Sequence, residues 1–211
     1  MNSQQYFDTI AMEWNHYRQA YFKEDIRPLL FDTVDFTDKI AIDLGAGTGF
    51  LALEMAKRAK LVVAVDQSRN MLEELEQKAR NLQLTNILNL QSPMDQVSLL
   101  DQQADIVTIN MALHHAEHPD QAIKEFYRLL KPGGQLIISD VMEHNGTWAH
   151  TEMHDIWLGF SLQQIQRWME DAGFEQISVA NTQLVATATS QKQELLQTTI
   201  LIASGQRGET A

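Results

Sequence analysis

The chain has no cysteine among its 211 residues. That excludes disulfides, thiolate metal sites and a cysteine nucleophile. Positive charge is scarce as well: 16 Lys and Arg stand against 28 Asp and Glu, a formal net charge of -12. No basic cluster interrupts this excess of acid, which repels phosphate backbones and anionic lipid. Neither a nucleic acid nor a membrane is therefore expected as a partner. No window approaches the roughly 18 consecutive apolar residues of a membrane span. The opening stretch, MNSQQYFDTIAMEWNHYRQ, lacks the basic and apolar regions of a secretory signal. A cytoplasmic location is the expectation. Repeats, low-complexity tracts and linker-like segments are also missing, so residues 1–211 read as one domain.

Hydrophobic residues make up 44% of the chain, enough to bury a substantial core. Short apolar runs at KIAIDL (39–44), LVVAVD (61–66), NILNLQ (86–91), DIVTIN (105–110) and QLIISDV (135–141) alternate with longer amphipathic segments. Most of these runs are apolar on consecutive positions, as strands covered on both faces must be. The intervening segments carry helix signals. FLALEMAKRA follows a glycine loop, Ser68 is placed to cap a helix through Leu82, and Pro119 suits the first turn of a helix that Lys-Pro-Gly-Gly stops. A last helix runs from Ser161 to about Ala172. FEQISVA and TTILIASG read as closing strands joined by an irregular QLVATATSQKQELL stretch.

The alternation predicts an α/β fold: a Rossmann-like, doubly wound, seven-stranded sheet, mostly parallel, with an antiparallel C-terminal edge strand and helices on both faces. Residues 1–36 form an N-terminal helical cap and 37–141 the ligand-binding core. Residues 142–160 form a loop over the carboxyl edge of the strands, and 161–211 the C-terminal helix and strands.

Residues 42–49, IDLGAGTG, are the most informative stretch. The dinucleotide fingerprint needs a small residue where this chain has Phe50, and the triphosphate loop needs a Lys that is absent. The pattern is instead D-x-G-x-G-x-G, Asp43 to Gly49. Downstream stand VVAVDQS (62–68), ADIVTINMALHHAEHPDQAIKEFYRLLKPGGQLIISDV (104–141) and LGFSLQQIQRWMEDAGF (158–174). With these blocks in this order, residues 5–205 resemble the small single-domain class I methyltransferases that use S-adenosylmethionine.

The resemblance implies S-adenosylmethionine as cofactor and a set of contacts to it. Gly45, Ala46, Gly47 and Gly49 would let backbone groups reach the methionine portion and ribose, and Asp43 would lie near the ammonium. Asp66 would accept the ribose hydroxyls, the role an acid about twenty residues past the loop also has in dinucleotide folds. Gln67 and Met71 would flank the adenine, and Asn110 would meet the methionine portion. Where the family often carries an Asp for the adenine amino group, this chain has Pro93; Met94 could offer a backbone amide and Asp95 a replacement acid.

His114, His115 and His118 with Glu117 resemble a metal cluster on paper, but the resemblance implies a cofactor-side loop and no metal. His144, His150 and His154 with Glu143, Glu152 and Asp155 lie on the loop over the expected active edge. His115, His150 and His154 are the base candidates, although no motif selects one. An N-P-P-Y signature of nucleic-acid amino methylation is absent after the fourth strand, which agrees with the acidic charge in favouring a small-molecule acceptor. DIWLGFS (155–161) resembles methyltransferase domains attached to metalloid-sensing regulators, yet without cysteine an arsenic acceptor is not expected. Methyl transfer by in-line displacement is thus the expected reaction. The alternatives are a non-catalytic cofactor-binding or partner protein with this fold, and a nicotinamide oxidoreductase, which lacks a Tyr-x-x-x-Lys here. The sequence leaves the oligomeric state open.

Overall fold

β1 (Ile40–Leu44) shows why the apolar runs become central strands: Ile42 and Leu44 bury into one core cluster while Ala41 buries into another on the opposite face. The computed structural model describes residues 3–209. β2 (Leu61–Asp66), β3 (Ile87–Gln91), β4 (Ala104–Asn110) and β5 (Leu130–Val141) join β1 in one sheet with β6 (Phe174–Thr189) and β7 (Leu195–Arg207). The order is β3-β2-β1-β4-β5-β7-β6, parallel through β5 and antiparallel at β5–β7 and β7–β6. The chain leaves β1 toward β2 on one side and returns to β4 on the other. The crevice between the carboxyl ends of β1 and β4 is therefore the switch point where α/β sheets bind ligands.

Helices cover both faces. α5 (Arg69–Asn81) starts where Ser68 Oγ accepts from the Met71 amide at 3.1 Å, and its Leu72 and Leu75 bury against β2 and its neighbours. α6 (Pro119–Leu129) and α8 (Leu162–Ala172) bury Ile123, Phe126, Ile165 and Met169 on the other face. Ser161 caps α8 and Gly173 ends it in the left-handed region, as its spacing predicts. Among the described residues no helix is long and apolar enough to cross a membrane.

Two expectations change. The helix after the glycine loop contracts to α4 (Ala52–Met55), with turns on either side. The stretch read as irregular, 183–196, is mostly ladder: Val185–Thr189 pair with Thr199–Leu195, and only 190–194 turn. A register shift between Asn181 and Val185, with Gln183 at φ 65°, breaks the alternation that would have revealed one long strand. The closing strands β7 and β6 make the antiparallel C-terminal edge of the sheet, as the alternation predicts, with β6 outermost.

The N-terminal cap comprises α1 (Ser3–Ile10), α2 (Trp14–Tyr21) and α3 (Ile26–Thr33). It is fastened to the core by polar bonds. Ser68 Oγ donates to Asp8 at 2.6 Å, Thr48 Oγ donates to Asn15 at 2.9 Å, and Arg27 donates to the Phe50 carbonyl at 3.0 Å. The 142–160 loop carries α7 (Ala149–Glu152) and docks through the Ile156 and Trp157 amides, which both donate to the His114 carbonyl.

Candidate active site

A cavity of about 500 Å³ opens at the switch point, roofed by α1 and α2. Its floor is the glycine loop. Gly45 has φ 62°, and a Cβ there would meet Ala112 Cβ at 2.5 Å, so only glycine fits. Gly47 has φ 51° and lines the cavity, and a Cβ there would stand in ordinary contact with Trp14 Nε1 at 3.5 Å. Backbone can therefore approach a ligand closely at Gly47. Gly49 is not a wall residue; a Cβ there would press on Leu53 and Leu75, so it serves the packing of α4 and α5 under the loop.

Two acids flank the loop. Asp66 Oδ2 accepts from the Gly47 amide and Oδ1 from the Ser68 amide, each at 2.8 Å, which ties the loop to the start of α5. Burial pushes its carboxyl up to about 6, against the pull of those amides. Asp43 is 2% exposed and accepts from Thr108 Oγ at 2.8 Å; burial pushes it up to about 7. A desolvated carboxylate on a cavity wall gains most from a cationic ligand group beside it.

Of the sequence-predicted residues, Asp43, Gly45, Ala46, Gly47, Asp66, Gln67, Met71, Met94 and Asn110 all line this cavity. Asn110 Oδ1 accepts from Ser139 Oγ at 2.7 Å, leaving its amide nitrogen for the cavity. Pro93 and the exposed Asp95 also line it.

Arg18 was not anticipated. The residue is 5% exposed, and its guanidinium lies over the Phe50 ring at 4.4 Å and pairs with Glu24 at 2.6 Å. Nη1 has no hydrogen-bond partner among the described residues, and the residue lines the cavity. Its sequence signal was faint: one Arg on an otherwise aromatic amphipathic segment.

The opposite end is formed by His115, Glu117, His150, His154, Asp155 and Ile156 with Phe7 of α1. His150 Nδ1 lies 2.7 Å from the Asp155 carbonyl, and the His154 ring packs on Tyr6 at 4.7 Å. The paper cluster at 114–118 does not assemble: Glu117 and His118 are exposed, whereas His114 is buried with Nδ1 2.6 Å from Asp140 Oδ1. Burial opposes charge on the His114 ring, but the Asp140 and Asp155 carboxylates outweigh it and raise its pKa to about 9. Burial pushes His115 well below the ordinary histidine range, so it is neutral at pH 7.

Sheet order, a glycine loop at the switch point and acids at the carboxyl ends of β1 and β2 are the arrangement of a Rossmann-like fold. Residues 42–138 match the family model described as a methyltransferase domain. That match gives the chain a methyltransferase domain over residues 42–138, and S-adenosylmethionine is the methyl donor of the methyltransferase family. It is 33% identical over 133 residues to a demethylmenaquinone methyltransferase of Lactobacillus johnsonii, covering 61% of this chain and 51% of that protein. To a ubiquinone biosynthesis O-methyltransferase of Pseudomonas savastanoi it is 30% identical over 145 residues, covering 64% and 60%. The chain spans about half the length of the curated relatives it matches first, 47%, 51% and 43%. A SAM-dependent methyltransferase structure from Thermotoga maritima superposes with a TM-score of 0.70 at 19% identity, over 98% of this chain and all of that one.

Proposed function

We propose that this chain transfers the methyl group of S-adenosylmethionine to a small-molecule acceptor by in-line displacement. One observation carries the reading: a single cavity has glycine-loop backbone and two desolvated acids at one end, and a histidine-bearing loop at the other. When bound, S-adenosylmethionine supplies a sulfonium methyl already activated for displacement, its sulfur leaving as a neutral thioether. The protein's task is positioning and exclusion of water.

The residues present fit that ligand. Asp66 accepts ribose hydroxyls with the lone pairs that the Gly47 and Ser68 amides leave free. Asp43 receives the ammonium, and the unpartnered Nη1 of Arg18 receives the carboxylate. Gln67, Met71 and Met94 enclose the adenine, while Asn110 offers its amide nitrogen to the methionine portion. Phe7 and Trp14 close the roof over the reacting end. There His150 and His154 offer imidazoles for a proton released by an acceptor hydroxyl or amine. The matched relatives named for quinone biosynthesis support a hydroxylated ring as the acceptor, a shape that an aromatic roof accommodates.

Calorimetric titration tests the cofactor assignment: S-adenosylhomocysteine binds and NAD does not. Tight NAD binding without response to the adenosyl ligand refutes it. A panel of hydroxylated rings and amines, assayed for S-adenosylhomocysteine release, then tests catalysis. Cofactor binding with no turnover on any member favours the non-catalytic reading.

A further inference from the structure

Behind Phe7 and Trp14, next to the main cavity, lies a second void of about 20 Å³. It has room for one water or one ion. Its polar lining is unusual. Asp155 is 3% exposed and Tyr21 7%, yet neither Asp155 oxygen nor the Tyr21 hydroxyl has a hydrogen-bond partner among the described residues. A carboxylate enclosed without donors costs several kcal/mol by order of magnitude, so a cation belongs beside it.

Two imidazoles face the same oxygen. His114 Nε2 lies 3.8 Å and His115 Nδ1 3.9 Å from Asp155 Oδ1. One ligand atom from each residue falls within 4.8 Å of the others. Ligand atoms on an ion with tetrahedral bonds of about 2.0–2.2 Å stand about 3.3–3.6 Å apart, so Asp155 Oδ1 has to move only a few tenths of an ångström toward each ring, and the two rings close by up to somewhat more than an ångström. The other ring nitrogen of His114 is held by Asp140 at 2.6 Å, and Asp140 is itself fixed by the Val141 amide at 2.7 Å. Metal-binding histidines are oriented in this way, by a carboxylate on the far nitrogen. Charge agrees once the ion displaces the proton from His114 Nε2: two buried carboxylates then flank two neutral imidazoles, and a dication balances them.

We propose that His114, His115 and Asp155, with Asp140 as positioning residue, bind a divalent first-row transition-metal ion of the zinc class. This goes against the sequence reading, in which the histidines carried no metal. Coordination replaces the 3.2 Å contact of His115 Nδ1 with the His154 carbonyl. Tyr21 stands beside the ion, and because His115 and Asp155 also line the main cavity, an open position there can take an acceptor oxygen. Ion binding does not depend on the methyl-transfer reading and survives its failure.

The test uses the whole chain without a polyhistidine tag, stripped by chelator. Zn²⁺ is followed by calorimetry and Co²⁺ by visible d–d absorption. One equivalent binds, with the bands of a low-coordinate nitrogen–oxygen site. Asp155→Asn lowers affinity at least about 100-fold and Asp140→Asn about 10- to 100-fold, whereas His16→Ala, on the exposed side of α2, changes nothing. Thermal unfolding confirms that the variants fold. The proposal is overturned if the wild-type chain takes up no stoichiometric ion, as it would with water in the void, or if folded Asp155→Asn binds as tightly. Should that variant not fold, the wild-type stoichiometry and spectrum decide alone.

Discussion

Replacing Asp66 with Asn separates loop holding from ligand holding. Asn keeps one carbonyl oxygen, which can retain the 2.8 Å bond from either the Gly47 or the Ser68 amide, and it removes a desolvated charge. Loss of one charge-assisted bond, about 1.5–3 kcal/mol, is opposed by relief of that desolvation. Thermal stability of the ligand-free protein should therefore shift little. Binding has no such offset, since the ribose hydroxyls lose a charged acceptor. Affinity for S-adenosylhomocysteine should fall about 10- to 100-fold, or roughly 1.4–2.8 kcal/mol. The pH dependence gives a second readout. The carboxyl ionises at about 6 in the free protein, and binding requires the ionised form. Wild-type affinity should weaken as pH falls through 7, where Asp43 takes up a proton, and more steeply below 6, where Asp66 adds up to about tenfold per unit of its own. In Asp66→Asn only the Asp43 step should remain, moved to lower pH because the Asp66 charge that raises it is gone. Calorimetry from pH 8 to pH 5 measures both effects. Unchanged affinity in a folded variant, or wild-type affinity that rises toward pH 5, would refute the assignment.

Gly45→Ala should damage the loop itself: the left-handed φ of 62° costs about 1–2 kcal/mol and the 2.5 Å approach to Ala112 Cβ about 1–3 more. Differential scanning calorimetry should show a lower Tm, on the order of 2–4 °C per kcal/mol for a chain of this size; an unchanged Tm would contradict the crowding seen there. Arg18→Gln should weaken S-adenosylhomocysteine at least about tenfold, the lower end of the about 1.5–3 kcal/mol of a hydrogen bond to a charged group, and leave adenosine, which has no carboxylate, unaffected. Equal losses for both ligands would place the effect in the roof rather than in a carboxylate contact.

The sheet was legible in the sequence because its central strands are buried on both faces. Val62 to Val65 and Ile106 to Ile109 have no polar face to show, and the helices between them announce their ends through Ser68, Pro119, Ser161 and Gly173. The glycine loop was legible for a local reason too. A left-handed φ combined with close backbone approach favours glycine, so the alternate glycines at 45 and 47 mark the cavity floor in the sequence. The β6–β7 hairpin was less readable, because a bulge at 181–185 shifts the alternation out of phase and the strand's outer face is polar.

What lay beyond sequence was every property that depends on distant segments meeting. His114 and Asp155 are 41 positions apart and belong to different elements, so no spacing rule joins them; the Ile156 and Trp157 amides on the His114 carbonyl do. Arg18 carries no motif, and only the stacking of α2 over Phe50 turns an ordinary cation into a buried one at the cavity wall. Local sequence thus determined the strands, the caps and the loop, since backbone conformation and burial period are local quantities. Tertiary structure decided the roof, the buried histidine–carboxylate group and the ionisation of Asp43 and Asp66, since desolvation is set by everything packed around a group.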